Sequence, residues 1–430
     1  MASKTKKISG KQSAGSKSDS LSGEVLSYQS TASLLVSGYD SGKELVNWLF
    51  PAYVSVITLS IVAFLSASMM TGGNRMSLDR AVLTAVNAAT CTGFQQKTGP
   101  NFFKPPGQIL VLLLTATGSL FSMIAGGMAV ARIAKLRFTD RQIISAAFSV
   151  ELIAVLLGVF HCFGQTQSLI EGISQGISTV GNCGMALGSP YDITAWQNHL
   201  FVLPAVFLGG IGITVLLELV ELICYGRALS RHAITCLSWS MGLYLIGLLL
   251  FTLLQSNSWH NNVLVNSSVA SLNTRSAGIH YGFVSSLPRS MGWVMMIYMM
   301  IGASSGGTGG GLKVTTLASI FGGIRKLLRG QTTSKPFAIA CCWLAIYLAM
   351  GVFGVIMLTI VEPSITGEKI AFLSYSALSN VGLSHDVLTD MRRGSFILAA
   401  LMMAGKMVPI LILWWTVECN DLADNELAVG

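Results

Sequence analysis

The chain has 430 residues, 52% of them hydrophobic and only 11% charged, with a mean hydropathy of +0.63. Soluble domains carry about 25% charged residues, so this composition excludes an ordinary water-exposed globule and indicates a surface that faces lipid. The net charge of +8 is spread over short basic clusters between apolar runs. That pattern is a topology signal for loops and argues against a nucleic-acid surface.

Residues 1–45 stand apart. Lys4, Lys6, Lys7, Lys11 and Lys17 lie among Ser, Gly and Thr with few large apolar groups, a composition that predicts a disordered tail. No apolar core follows the lysines at signal-peptide distance, so the tail is expected to be retained and cytoplasmic.

Four stretches of similar plan follow. Residues 46–135 hold an apolar span at 47–70, a shorter polar stretch from Asp79 to Ala89, the turn Ala-Thr-Cys-Thr-Gly-Phe with Gly93, and a second span at 107–132. Residues 136–226 hold spans at 142–164 and 197–224 around Val-Gly-Asn-Cys-Gly-Met, with Gly184. Residues 227–330 hold spans at 233–255 and 289–326 around Thr-Arg-Ser-Ala-Gly-Ile, with Gly278, and the second span is interrupted by glycines. Residues 331–430 hold spans at 338–361 and 394–418 around the stretch Ile370 to Leu378 and Leu-Ser-Asn-Val-Gly-Leu, with Gly382, before a short C-terminal tail.

The four glycines recur at intervals of 91, 94 and 104 positions, and each precedes a large apolar residue: Phe94, Met185, Ile279 and Leu383. The long stretches suit the roughly 20 residues a spanning helix needs, and the short ones suit a helix that enters part-way and returns. The expected fold is an all-α polytopic membrane protein. It comprises four tandem helix–pore loop–helix repeats, eight spanning helices, with pseudo-fourfold symmetry around one pore.

Irregular backbone at membrane depth is tolerated only where protein buries it or where it lines a wet cavity. Four such segments on one axis could replace an ion's hydration shell with carbonyl oxygens. Short helices ending there would add the negative ends of their dipoles. No acidic side chain occurs in the last few residues before any of the four glycines, so a carbonyl filter is expected rather than a carboxylate ring. Its expected members are Thr90, Cys91, Thr92 and Gly93; Gly181, Asn182, Cys183 and Gly184; Arg275, Ser276, Ala277 and Gly278; and Ser379, Asn380, Val381 and Gly382.

Within the sixth span, Ala303-Ser304-Ser305-Gly306-Gly307-Thr308-Gly309-Gly310-Gly311 precedes Leu312 and Lys313. A Walker loop needs Gly directly before its Lys and Ser or Thr directly after, and Leu312 and Val314 stand there instead. So many glycines break a helix. The run is therefore read as an intramembrane loop beneath the filter, a candidate gate, with a rigid kink as the alternative. Lys406 lies deep in the last span, where an ionisable group usually faces the bundle interior, and an ammonium below the filter would repel a permeant cation. Lys313 and Lys406 complete the expected gate.

The remaining residues exclude other chemistry. The eight cysteines show no CxxC spacing, and Cys341 and Cys342 sit in an apolar run as packing residues. The six histidines are scattered, and no catalytic triad or zinc motif appears, so the chain is not expected to be an enzyme. Glu218 and Glu221 read as end-of-helix charges. Arg132, Lys135, Arg137, Arg141, Arg227, Arg231, Arg325, Lys326, Arg329 and Lys335 mark the cytoplasmic loops, which places the N-terminus inside and the glycine turns outside.

From Thr84 to Phe94, at Asn182-Cys-Gly, at Asn273-Thr-Arg-Ser-Ala-Gly, at Asn380-Val-Gly-Leu-Ser and above all at Gly306-Gly-Thr-Gly-Gly-Gly-Leu-Lys-Val-Thr-Thr, the chain resembles the Trk/Ktr/HKT potassium-transporter superfamily. The likeness is greatest to the Ktr-type membrane subunit and covers about residues 47–418. It implies potassium uptake across the cell membrane through one pore per chain, in a homodimer, with a separate cytoplasmic nucleotide-binding ring as regulatory partner. Glycine at all four filter positions resembles the potassium-selective members, and sodium is implied as a coupling or modulating ion. The alternatives kept open are a sodium/potassium-permeable member of the same superfamily and the potassium-translocating subunit of an ATP-driven pump. Lys406 departs from the arginine usual there, and Ser305 and Gly307 depart from the usual loop.

Overall fold

The structure is a computed structural model. It describes residues 44–429 other than 67, 72–74, 96–101, 163–167, 186, 188–197, 255–261, 280–288, 386–387, 389–390 and 392, and no side chains at 161–162, 276 or 419–429. The expected tail up to residue 43 lies outside the described residues. Contacts separate residues 1–50 from residues 51–430, and the architecture below is that of the larger unit.

The elements are helical and follow one order. A long helix, a short helix and a turn precede each second long stretch. The first group is α1 (Glu44–Phe64), α2 (Leu78–Ala89) and α3 (Pro105–Ile133). The second is α4 (Asp140–Cys162), α5 (Leu169–Val180), a π-turn at Asn198–Val202, α6 (Leu203–Ile211) and α7 (Ile213–Tyr225). The third is α8 (Arg231–Leu253), α9 (Val263–Leu272), a π-turn at Asn273–Ala277, α10 (Arg289–Met300) and α11 (Val314–Leu328). The fourth is α12 (Lys335–Val361), α13 (Gly367–Leu378) and α14 (Ser395–Val429).

Eight spanning helices were expected, one of them broken by the glycine run, and fewer of the described helices are long and apolar enough to cross a membrane. Among the described residues six helices are long and apolar enough to cross a membrane: α1, α3, α4, α8, α12 and α14. A seventh is reached only by joining Asn198–Ile211 to Ile213–Tyr225, which bend by 106° at Gly212. Gly212 takes φ +95, outside the helical region and open to glycine at no steric cost. The expected span at 289–326 is divided between α10 and α11 by the glycine run, as its composition predicts.

The long helices follow from uniformly apolar sequence with a lipid side and a protein side. On α12, Tyr347, Gly351, Gly354 and Leu358 are buried, whereas Phe353 and Ile360 are 59% and 68% exposed. Cys342 on the same helix is exposed, not packed inside as expected. Helix ends carry ordinary signals: prolines open α3 and α12, Ser230 caps α8 by accepting from the Ala233 amide, and Gly226 ends α7 in the left-handed conformation. Glu218 is buried and does more than mark a helix end. Its carboxylate accepts from the Ser230 amide (2.6 Å) and hydroxyl (2.8 Å), tying α7 to the start of α8.

Small residues set the inner layer. A Cβ on Gly118 of α3 would overlap the Ala89 carbonyl at the end of α2. Gly209 of α6 stands in the same relation to Val180 of α5, and Gly405 of α14 to Leu378 of α13. Glycine is thus what lets three second helices lie against the C-termini of three short ones. Trp414 of α14 donates its indole N–H to the Ala125 carbonyl of α3 (3.0 Å), joining the first and last groups.

Candidate functional site: four glycine turns above a glycine loop

Each short helix ends in a turn that sends its backbone amide back to the helix. Thr92 donates to the Asn87 carbonyl (3.0 Å), Cys183 to Ser178 (2.7 Å) and Val381 to Ser376 (3.0 Å). In these three the donor sits one position before the glycine. In the third turn Gly278 itself donates, to the Asn273 carbonyl (3.2 Å), one position later, and residues 273–277 form a π-turn. Cys91, Asn182 and Asn380 hold positive φ of 55°, 52° and 52°, which reverses the chain two residues before the glycine of each of those three turns.

The four glycines close a ring in chain order. A Cβ on Gly93 would overlap the amide nitrogen of Gly184, and one on Gly184 would overlap the Gly278 carbonyl. One on Gly278 would overlap the Val381 carbonyl, and one on Gly382 would overlap the Thr92 carbonyl. The residues expected in the filter therefore come from four distant parts of the chain to one place, where the C-terminal ends of α2, α5, α9 and α13 converge. All the described side chains of these segments are buried, and the first and fourth also meet through side chains, Asn380 Nδ2 donating to Thr92 Oγ1 (3.0 Å).

Arg275 is buried as well. Its guanidinium turns away from the ring and donates to the Ser240 carbonyl of α8 (3.1 Å) and the Gly302 carbonyl (3.3 Å). It acts as a strut behind the third turn. Two residues outside the expected set clamp the ring instead. Asn87 Nδ2 donates to the Phe94 carbonyl (2.8 Å) while its Oδ1 accepts from the Phe94 amide (2.9 Å). Asn273 does the same to Ile279 at 2.7 and 2.6 Å. The signal was in the sequence: an asparagine stands six residues before Gly93 and another five before Gly278.

The glycine loop packs against the second and fourth turns. Gly302 and Leu312 pair across its neck, with Gly302 N–H to Leu312 O and Leu312 N–H to Met300 O both 2.9 Å. One side of it docks on the bend between α6 and α7. Ser304 N–H donates to Gly210 O (2.9 Å), Thr308 N–H to Gly209 O (3.1 Å), and Ile213 N–H to Gly306 O (3.2 Å). A Cβ on Gly212 would lie 2.6 Å from the Ser305 carbonyl, and one on Gly310 would lie 2.7 Å from Asn380 Oδ1, so loop, bend and fourth filter turn are in contact.

Two buried lysine side chains donate to consecutive loop carbonyls. Lys406 Nζ donates to Thr308 O (3.0 Å) and Lys313 Nζ to Gly309 O (2.6 Å). Both face a small cavity lined by Ser122, Gly126, the 306–310 run and Pro409. A larger cavity of about 430 Å³ opens beside the loop, between α3, α11, α12 and α14. Among the described residues no group of three or more His, Cys, Asp or Glu side chains is placed to hold a metal ion.

Three known proteins match the chain in sequence and a solved structure matches it in fold. The chain is 25% identical over 377 residues to the potassium/sodium uptake protein NtpJ of Enterococcus hirae, covering 76% of this chain and 82% of that protein. It is 25% identical over 387 residues to the Ktr system potassium uptake protein B of Vibrio alginolyticus, covering 79% and 84%. The Bacillus subtilis protein of the same name matches at 24% over 399 residues, covering 82% and 89%. The crystal structure of the potassium transporter TrkH from Vibrio parahaemolyticus superposes with a TM-score of 0.65 at 15% identity, covering 85% of this chain and 84% of that one. In sequence and in fold the chain is similar to the Trk/Ktr membrane subunits. No family model matches it. The likeness to TrkH is one of fold, and the Trk/Ktr resemblance read from the filter and loop motifs is borne out by the relatives.

Proposed function

We propose that the chain takes up potassium across the cell membrane through the ring of four glycine turns. The observation that carries this reading is the closed succession Gly93–Gly184–Gly278–Gly382 at the C-terminal ends of four short helices. Backbone carbonyls gathered there can replace a hydration shell, and the helix ends favour positive charge. The four groups of helices are read as four repeats around that ring. The names of the matched proteins, all potassium uptake or transport proteins, support the same substrate.

The loop at 303–311 is the gate in this reading. Lys406 and Lys313 place ammonium groups on Thr308 O and Gly309 O, oxygens that a passing cation would otherwise meet. Each is a tethered cation in the pathway, and burying it costs at least about 2.5 kcal/mol at mid-membrane before its hydrogen bond is counted. A homodimer, a cytoplasmic nucleotide-binding ring and a cytoplasmic N-terminus complete the proposal. They rest on the Trk/Ktr likeness and the distribution of basic loops.

Growth of potassium-uptake-deficient cells at low potassium tests it. The chain, expressed alone and with a Ktr-type regulatory ring, is expected to restore growth. Failure of both, with the protein present in the membrane, refutes the proposal. A second reading, permeation of sodium as well as potassium, is favoured by the name of one relative. Flux into liposomes with potassium and sodium gradients set separately decides between them.

A further inference from the structure

We infer that Thr308 is a clasp that couples the filter to the loop, so that cation discrimination and loop position depend on one hydroxyl. Thr308 is buried and engages both with its backbone and with its side chain. Its amide donates to Gly209 O at the α6–α7 bend, and its carbonyl accepts from Lys406 Nζ. Its hydroxyl accepts from Asn182 Nδ2 at 2.7 Å and lies 3.1 Å from Val180 O and 3.2 Å from Gly209 O, with one proton to give to either.

Those partners belong to different machines. Val180 ends the second short helix and Asn182 is the positive-φ residue of the second filter turn, two positions before Gly184. Lys406 comes from the last long helix, 98 positions from Thr308 in sequence, and Asn182 is 126 positions away. A movement of the loop that carried Thr308 with it would break the Asn182–Thr308 bond, and a hydrogen bond between buried groups is costly to lose. The second turn, whose Cys183 amide is held only three residues beyond Val180, would lose this support at the same moment. Thr308 therefore stays on the second turn while the rest of the loop clears the path, and the filter keeps its shape as ions pass.

The link to selectivity rests on the potassium pathway proposed above, whereas the clasp itself is a mechanical claim, and two readouts separate them. The purified full chain is compared as wild type, Thr308→Ser, Thr308→Val, Asn182→Ala and the double variant Thr308→Val with Asn182→Ala. Valine keeps the branched shape and loses the hydroxyl, and serine keeps the hydroxyl.

Amide hydrogen exchange is expected to rise together at residues 178–185 and 304–311 in Thr308→Val and Asn182→Ala, and to stay near wild type in Thr308→Ser. In liposomes the potassium-over-sodium flux ratio is expected to fall about fivefold or more in the first two, the lower end of ordinary site–site coupling. The double variant is expected to show no further loss. Exchange that rises at the loop alone overturns the clasp. An equal flux ratio in Thr308→Val and Thr308→Ser overturns its role in discrimination, as does a double variant whose losses add. A wild-type chain without potassium preference defeats the pathway instead, and leaves the exchange result to judge the clasp.

Discussion

Gly93→Ser tests the ring at its first member. Two costs follow from the geometry. Gly93 holds φ +86, where an L-residue pays about 1–2 kcal/mol. Its new Cβ would also overlap the Gly184 backbone, which has no flexible side chain to yield, and overpacking of this kind costs about 1–3 kcal/mol. The sum is about 2–5 kcal/mol. It falls on the contact between the first and second turns, so those turns must separate or the chain must lose stability. Since about 1.4 kcal/mol is a factor of ten, even the smaller figure delivered to the filter predicts at least a tenfold fall in potassium-over-sodium discrimination. The assay is ion flux in liposomes set beside the melting temperature of the same preparation. Gly226→Ala is the control: Gly226 has φ +65 and nothing within 4 Å of a new Cβ, so it carries strain without collision and should leave the flux ratio unaltered. An unchanged flux ratio together with an unchanged melting temperature in Gly93→Ser would falsify the ring as the selective element.

Two further substitutions probe the loop. Lys406→Met keeps most of the length and the apolar stem but removes the ammonium from Thr308 O. Potassium flux is expected to rise severalfold at equal protein density, and an unchanged flux would remove Lys406 from the gate. Gly212→Ala places a Cβ 2.6 Å from the Ser305 carbonyl at a residue with φ +95, so the loop must leave the α6–α7 bend. Faster amide exchange across 304–308 is expected, and exchange at the wild-type rate would show that the bend does not hold the loop.

Much of the fold was legible because a membrane chain advertises its spans. The apolar run at 338–361 became Lys335–Val361, and the stretch Ile370 to Leu378 became Gly367–Leu378. The glycine turns were legible through their spacing, and Lys406 through the oddity of a charge in mid-span. The bend at Gly212 was not, because Gly209-Gly210-Ile211-Gly212 lies in apolar sequence, where glycine serves packing as readily as breaking. Arg275 was read with its turn, but the direction of its side chain depends on Ser240 and Gly302, which only tertiary structure brings near. The Asn182–Thr308 bond was hidden for the same reason: neither residue is unusual alone.

The displaced hydrogen bond of the third turn shows that the four turns need not be identical. A ring made from four copies of one subunit would repeat every substitution four times. In a single chain each quarter can be altered by itself, so replacing Gly93, Gly184, Gly278 and Gly382 one at a time and then in pairs would grade the ring by quarters. The contribution of each turn becomes a measurable quantity, and only one quarter has to carry the loop.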